Sequence, residues 1–279
     1  MADHKAAFPL VIVFVFAVVG GVLSLVFSNF LDFSETTPVP TKGPASPRAP
    51  DRVVYNPPSP QEAPEAIREA VLLGYNIMVD TRRFAAPYVG NKLRCVSCHF
   101  KGGITEGGKG GGLSLVGVGA TYPKYRARQR YAMDLVSRTN SCFERSMDGR
   151  PLPPDSKEMA ALMAYYQWIS QGLPIYGEIP WLGLRPLKQT APPDKAWGVQ
   201  VFQEKCAACH GPSGEGTKIA PPLWGAESFN DGAGMSHLQT FSAFSYLNMP
   251  FGQPDLTEDQ GLAVAAFVTS QPRPHFVER

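Results

Sequence analysis

The chain has 279 residues, a formal net charge of +2 and 18% charged residues. That length admits one large domain or two small ones, and the near-neutral balance argues against a nucleic-acid partner. Glycine and proline, at 27 each, predict much loop and modest regular structure.

The first element is apolar. Residues 8–30 run from Phe8 to Phe30 without a charge. At about 1.5 Å per residue such a helix spans a hydrocarbon core of roughly 30 Å. A cleavable signal peptide has a shorter apolar region, about 7–15 residues, and ends at a small-x-small site. Here the bulky Phe27-Ser28-Asn29-Phe30-Leu31 follows, so residues 1–31 read as a retained transmembrane anchor. Lys5 precedes the span, and Asp32 and Glu35 follow it. The positive-inside rule then leaves Met1 in the cytoplasm. The expected localisation is the inner (cytoplasmic) membrane, single-pass, with the remainder on the periplasmic side.

Residues 32–63 read as a linker. Pro38, Pro40, Pro44, Pro47, Pro50, Pro57, Pro58 and Pro60 bar helix and discourage sheet, giving an extended spacer.

A first domain is expected over residues 64–176. Its opening helix, Glu65 to Asp80, is amphipathic, with Ala66, Ala70, Leu73 and Tyr75 among its apolar positions. Cys95-Val96-Ser97-Cys98-His99 follows, then a glycine-rich loop from Gly102 to Gly119. A second helix is expected from Arg130 to Arg145. A third starts at an Asp155 N-cap with Glu158 three residues on, carries Met159, Leu162, Met163, Tyr166 and Trp168, and stops near Gly172.

Residues 177–192 are a second linker, and the plan then repeats over residues 193–279. Asp194 caps a helix through Lys205 that runs into Cys206-Ala207-Ala208-Cys209-His210. A loop spans Gly211 to Gly216, and helix resumes near Ser236. The last helix opens with the capping box Thr257-Glu258-Asp259-Gln260 and ends before Pro272. No strand signal is strong in either domain.

The repeated C-x-x-C-H string carries the chemistry. Two cysteines three apart can form thioethers to both vinyl groups of one haem, and the next histidine lies under the iron. Cys95, Cys98 and His99, with Cys206, Cys209 and His210, therefore predict two covalently bound haem c groups. Zinc would need two more Cys or His ligands per string, which His4, His237 and His275 cannot supply twice. A redox dithiol needs no histidine. The fold class follows: mainly α, two cytochrome c-like haem domains in tandem behind one N-terminal transmembrane helix.

The sixth ligands decide the function. In the second domain Met249 precedes Pro250 on a loop ahead of the last helix, where small cytochromes c place an axial thioether. Met/His ligation raises the reduction potential. Met235, His237 and Lys218 are rivals, and a core role is the plain alternative for Met249. In the first domain the candidates are Met133, Met147, Met159, Met163 and the unpaired Cys142. Met159 and Met163 are four apart on an apolar face and read as core. Cys142 is either a buried inert thiol or an axial thiolate, which would lower the iron's potential. Arg138 and Arg145 nearby would favour its ionised form.

The stretch from Arg138 to Gly149 resembles the thiosulfate dehydrogenase family of dihaem cytochromes c. So do Val89 to Cys95 and Asp155 to Met159. The likeness spans about residues 64–270 and departs at Thr139 and Asp148, where Ile and Asn are expected. The resemblance implies that two thiosulfates are joined into tetrathionate, or the reverse, at a haem ligated by His99 and Cys142. A second haem, held by His210 and Met249, passes electrons out. Joining two dianions needs positive charge, for which Arg94, Arg145 and the run Lys124, Arg126, Arg128, Arg130 are candidates. That run also reads as a solvated face or docking patch. Cys142, Arg145 and Arg94 are the candidate catalytic residues.

The competing reading is a non-enzymatic dihaem subunit. It would shuttle electrons to a redox partner protein within a respiratory or photosynthetic membrane complex, held to the lipid bilayer by its anchor. A dihaem peroxidase would need an open haem face, which cysteine and methionine ligands would close.

Overall fold

The computed structural model describes residues 53–126, 130–189 and 192–277. The apolar run 8–30, most of the first linker and Arg128 lie outside these residues. Among the described residues no helix is long and apolar enough to cross a membrane.

Among the described residues, six helices of seven or more residues build the fold. The first half holds α1 (Glu65–Val79), α2 (Leu135–Ser141) and α3 (Lys157–Trp168). The second holds α4 (Lys195–Lys205), α5 (Leu238–Asn248) and α6 (Glu258–Thr269). Several single turns lie between them. The capping signals of α4 and α6 act as the sequence predicts. Asp194 accepts from the N–H groups of Ala196 and Trp197, and Thr257 and Gln260 cap each other reciprocally. The cap of α3 falls one residue later than expected, at Ser156, whose hydroxyl accepts the Met159 N–H.

The helix expected over 130–145 is shorter. Tyr131–Met133 (β2) instead pairs antiparallel with Lys124–Arg126 (β1), with Tyr125 opposite Ala132. Asp134 then caps α2 by accepting the Ser137 N–H at 2.6 Å. After Ser141 the helix widens into a π-turn over Cys142–Ser146.

Each half is organised by one tight helix crossing. A Cβ on Gly74 of α1 would overlap the Ala161 carbonyl of α3, and one on Gly198 of α4 would overlap the Ala263 carbonyl of α6. The missing side chains let the backbones touch. Ile77, Met78, Leu162 and Tyr165 fill the first core, and Val201, Phe202, Val264 and Val268 the second, all buried. Burial of each stabilises by roughly 1.5–3 kcal/mol.

The linkers are docked where they are described. Tyr55 meets Trp181 edge-on, and the Trp168 indole donates to Ser59 O at 2.9 Å. The Trp181 indole donates to Val116 O at 2.8 Å. Aromatic side chains thus hold proline-rich chain that forms no helix of its own.

The two halves share one compact unit, tied by buried amides. Asn91 Nδ2 donates to Ser146 O at 3.0 Å and to Ser228 O at 2.9 Å. Asn230 Nδ2 donates to Glu144 O at 2.8 Å and to Asp148 Oδ1 at 2.7 Å, and its N–H reaches Arg145 O. Asp148, one of the two departures from the family pattern, is therefore an interface residue.

Candidate functional site

The first C-x-x-C-H string begins in a single turn, Cys95–Ser97, held against the buried Thr81. The Cys95 N–H donates to Thr81 Oγ1 at 3.0 Å, and the Thr81 hydroxyl lies 3.2 Å from Cys95 Sγ. His99 Nδ1 lies 2.8 Å from Leu113 O. A carbonyl can only accept, so Nδ1 carries the proton and Nε2 keeps its lone pair for a metal. Burial drives the His99 pKa down to about 4, which keeps the ring neutral as ligation requires. Burial also pushes the Cys95 and Cys98 thiols up to about 12. They are neutral sulfurs in an apolar pocket, suited to thioether attachment.

Cys142 opens the π-turn. Such turns are rare and recur at functional sites. Arg138 stands one turn earlier and donates from Nη1 to Cys142 Sγ at 3.0 Å. Its place beside the Cys142 sulfur is the main reason that the guanidinium's pKa is raised. Burial first, and the neighbouring Cys142 after it, push up the thiols of Cys95 and Cys98 and the Tyr166 hydroxyl. Cys142 and Arg138 therefore lie within electrostatic reach of the first C-x-x-C-H string.

The arginines named from the sequence are placed differently. Arg145 stacks its guanidinium 4.1 Å from the Phe276 ring centroid, with Nε buried and without a hydrogen-bond partner. Arg94 Nε lies 3.8 Å from Asp80. The guanidinium on Cys142 is that of Arg138, which the sequence reading used only as a neighbouring charge. Its signal was the i, i+4 spacing from Cys142, which puts both on one helix face. Met133, Met147 and Met159 are buried in the core, and Met163 packs against it.

The second string repeats the histidine geometry. His210 Nδ1 lies 2.7 Å from Pro221 O, so Nε2 is again the free nitrogen. Burial lowers the His210 pKa and pushes the Cys206 thiol up to about 12. A cavity of about 1470 Å³ is lined by Cys206, Cys209, His210, Met235, Met249 and Cys98. Small-molecule sites are usually about 300–1,000 Å³, so this space suits a large planar group and reaches towards the first site. Phe229, Phe241, Phe244 and Val264 add apolar walls, and Lys218 also reaches the lining. His237 sits instead at the start of α5. The residues present therefore fit a haem in each half: two sulfurs, a neutral imidazole with Nε2 free, and apolar surroundings.

Comparison with known proteins agrees. A family model described as SoxA/TsdA, cytochrome c domain, matches residues 82–175, and one described as Cytochrome c matches residues 196–272. A thiosulfate dehydrogenase of Stutzerimonas stutzeri (strain A1501) is 38% identical over 228 residues, covering 79% of this chain and 73% of the relative. That of Allochromatium vinosum is 37% identical over 220 residues, covering 76% and 82%. This chain belongs to the thiosulfate dehydrogenase family. Its two cytochrome c domains carry two covalently bound haem c groups, as in that family. A solved thiosulfate dehydrogenase (TsdBA) from Marichromatium purpuratum, in its as-isolated form, superposes with a TM-score of 0.74 at 30% identity. The match covers 79% of this chain and 50% of that one, so the chain spans about half its length.

Proposed function

We propose that this chain is a membrane-anchored dihaem cytochrome c that oxidises thiosulfate to tetrathionate. In this reading residues 1–31 form the anchor, and the haem domains, 64–176 and 193–279, lie on the periplasmic side of the inner membrane. Cys95 and Cys98 would attach the first haem, and His99 and Cys142 would hold its iron. Cys206 and Cys209 attach the second, with His210 and Met249. The haems supply one-electron acceptors when bound. One observation carries the reading: an unpaired cysteine within electrostatic reach of the first C-x-x-C-H string, hydrogen-bonded at 3.0 Å to a half-buried arginine.

The chemistry suits these residues. Two thiosulfate dianions give one tetrathionate dianion and two electrons, with no proton exchanged. The Cys142 thiolate forms an S–S bond to the outer sulfur of one thiosulfate as two electrons leave. A second thiosulfate then attacks that sulfur, the Cys142 S–S bond breaks, and tetrathionate departs with the thiolate restored. Arg138 offsets the repulsion of the approaching anions, and Arg145 and Arg94 add positive charge to the surroundings. Family membership at 34–38% identity supports the same chemistry.

The test adds thiosulfate to the fully oxidised holoprotein and follows haem reduction and tetrathionate together. Rapid reduction with stoichiometric tetrathionate in the wild type, lost in a fully haem-loaded Cys142→Ala variant, is expected. Full activity in Cys142→Ala would sink the covalent role. The apolar run 8–30 favours a second reading, a tethered carrier that delivers electrons to a redox partner in a membrane complex. Haems that dithionite reduces and thiosulfate does not would select it.

A further inference from the structure

Asn248 is fully buried at the end of α5, directly before Met249. Its side chain faces two ways. Nδ2 donates back along the helix to Phe244 O at 3.0 Å, and Oδ1 accepts the N–H of Gly112, in the other half, at 2.7 Å. The next residue, Leu113, supplies the carbonyl that holds His99 Nδ1, and its own N–H reaches Cys98 O at 2.9 Å. Gly110 adds a bond from its N–H to Leu247 O at 2.7 Å. Phe100, which follows His99, meets Phe251 edge-on with centroids 5.0 Å apart.

Residues 110–113 therefore press on the proximal-histidine turn of the first site and on the Met249 turn of the second. Gly112 permits the approach: its φ is +66°, and a Cβ there would lie 2.8 Å from Cys98 O. A methionine thioether is a neutral, weakly accepting ligand. Its hold on iron depends on the chain keeping the sulfur in place, and the Met249 backbone N–H donates to Ser245 O, back along α5.

We propose that Asn248 is a positioning residue: through Gly112 it fixes the Met249 turn against the first haem site and so keeps the Met249 sulfur on the second iron. This rests on the assignment of Met249 as axial residue given above. It ties the ligation of one haem to the loop that orients the proximal histidine of the other.

Two substitutions separate the two bonds of Asn248. Asn248→Asp keeps an oxygen for the Gly112 N–H and gives up the donor to Phe244 O. Asn248→Thr keeps a hydroxyl that can bond to the carbonyl four residues back, and is too short to reach Gly112. The readout is the thioether-to-iron charge-transfer band of the ferric holoprotein, with haem content and thermal midpoint measured alongside. The expected result is a band retained in Asn248→Asp and lost in Asn248→Thr, both fully haem-loaded. A band that survives in Asn248→Thr, or that is lost equally in both variants, overturns the inference. A wild type without the band would instead overturn Met249 as ligand, and the inference with it.

Discussion

Replacing Arg138 by glutamine tests the chemistry of Cys142 most directly. Glutamine keeps a helix propensity close to that of arginine, so α2 should survive. What is removed is a charged donor 3.0 Å from the Cys142 sulfur. A hydrogen bond to a charged group is worth about 1.5–3 kcal/mol. At about 1.4 kcal/mol per decade, that predicts a fall in kcat/KM for thiosulfate of about 10- to 150-fold. The assay is stopped-flow reduction of the haems by thiosulfate, checked by tetrathionate yield at two ionic strengths. Because the pair is partly buried, the deficit should change less with salt than at an exposed charge. Lys124→Gln on the exposed strand β1 is the control, expected within about twofold of wild type and salt-sensitive. An Arg138→Gln enzyme within twofold of wild type, with both haems in place, would refute the assignment of Cys142 and Arg138 as a working pair.

Gly198→Ala should destabilise the second half by about 3 kcal/mol, because the added methyl meets a carbonyl that cannot retreat from a packed helix. Thermal melting followed at the haem absorbance checks this, and an unchanged midpoint would contradict the helix-crossing account. Asn230→Ala leaves Glu144 O and Asp148 Oδ1 without their donor at the interface and should cost about 1–3 kcal/mol. A single melting transition at the wild-type temperature would show that those bonds do not hold the halves together. Asp231 is held below the usual carboxylate range, chiefly by the Phe276 backbone N–H and then by His275. A carboxylate depressed in the folded state stabilises above its unfolded pKa of about 3.9, and the gain is lost as pH falls through the lower folded value. Asp231→Asn should therefore melt below wild type at neutral pH, with the gap closing in acid; a gap that widens in acid would reverse the sign and refute the assignment.

What was legible in the sequence was local. The Asp194 cap and the Thr257 capping box each occupy a few consecutive residues, and the structure uses them as read. The misread stretch, 130–145, is one in which a short hairpin and a π-turn interrupt the helical pattern. The hairpin depends on pairing Tyr131 with Arg126 rather than on propensity. The arginine on Cys142 was also within reach, since Arg138 is one turn from Cys142. Proximity in sequence favoured Arg145, yet its guanidinium is drawn to Phe276, from the far end of the chain.

The contacts that join the two haem sites could not be read at all, because each pairs residues far apart in the chain. Gly112 and Asn248 are 136 positions apart, and Asn91 and Ser228 are 137 apart. Nothing in the composition of either partner marks it for the other. An asparagine before a methionine looks like a helix end, and a glycine in a glycine-rich loop looks like flexible chain. Their meaning comes from the docking of two domains that each fold around their own helix crossing. Once those cores fix the backbones, a buried amide that lacked a partner across the interface would be penalised. The interface amides Asn91, Asn230 and Asn248 thus select one relative placement of the domains. That placement brings Cys98 to the wall of the cavity that holds Cys206 and Cys209. In the proposed reading, where electrons pass from one haem to the other, these three asparagines set the path between the two sites.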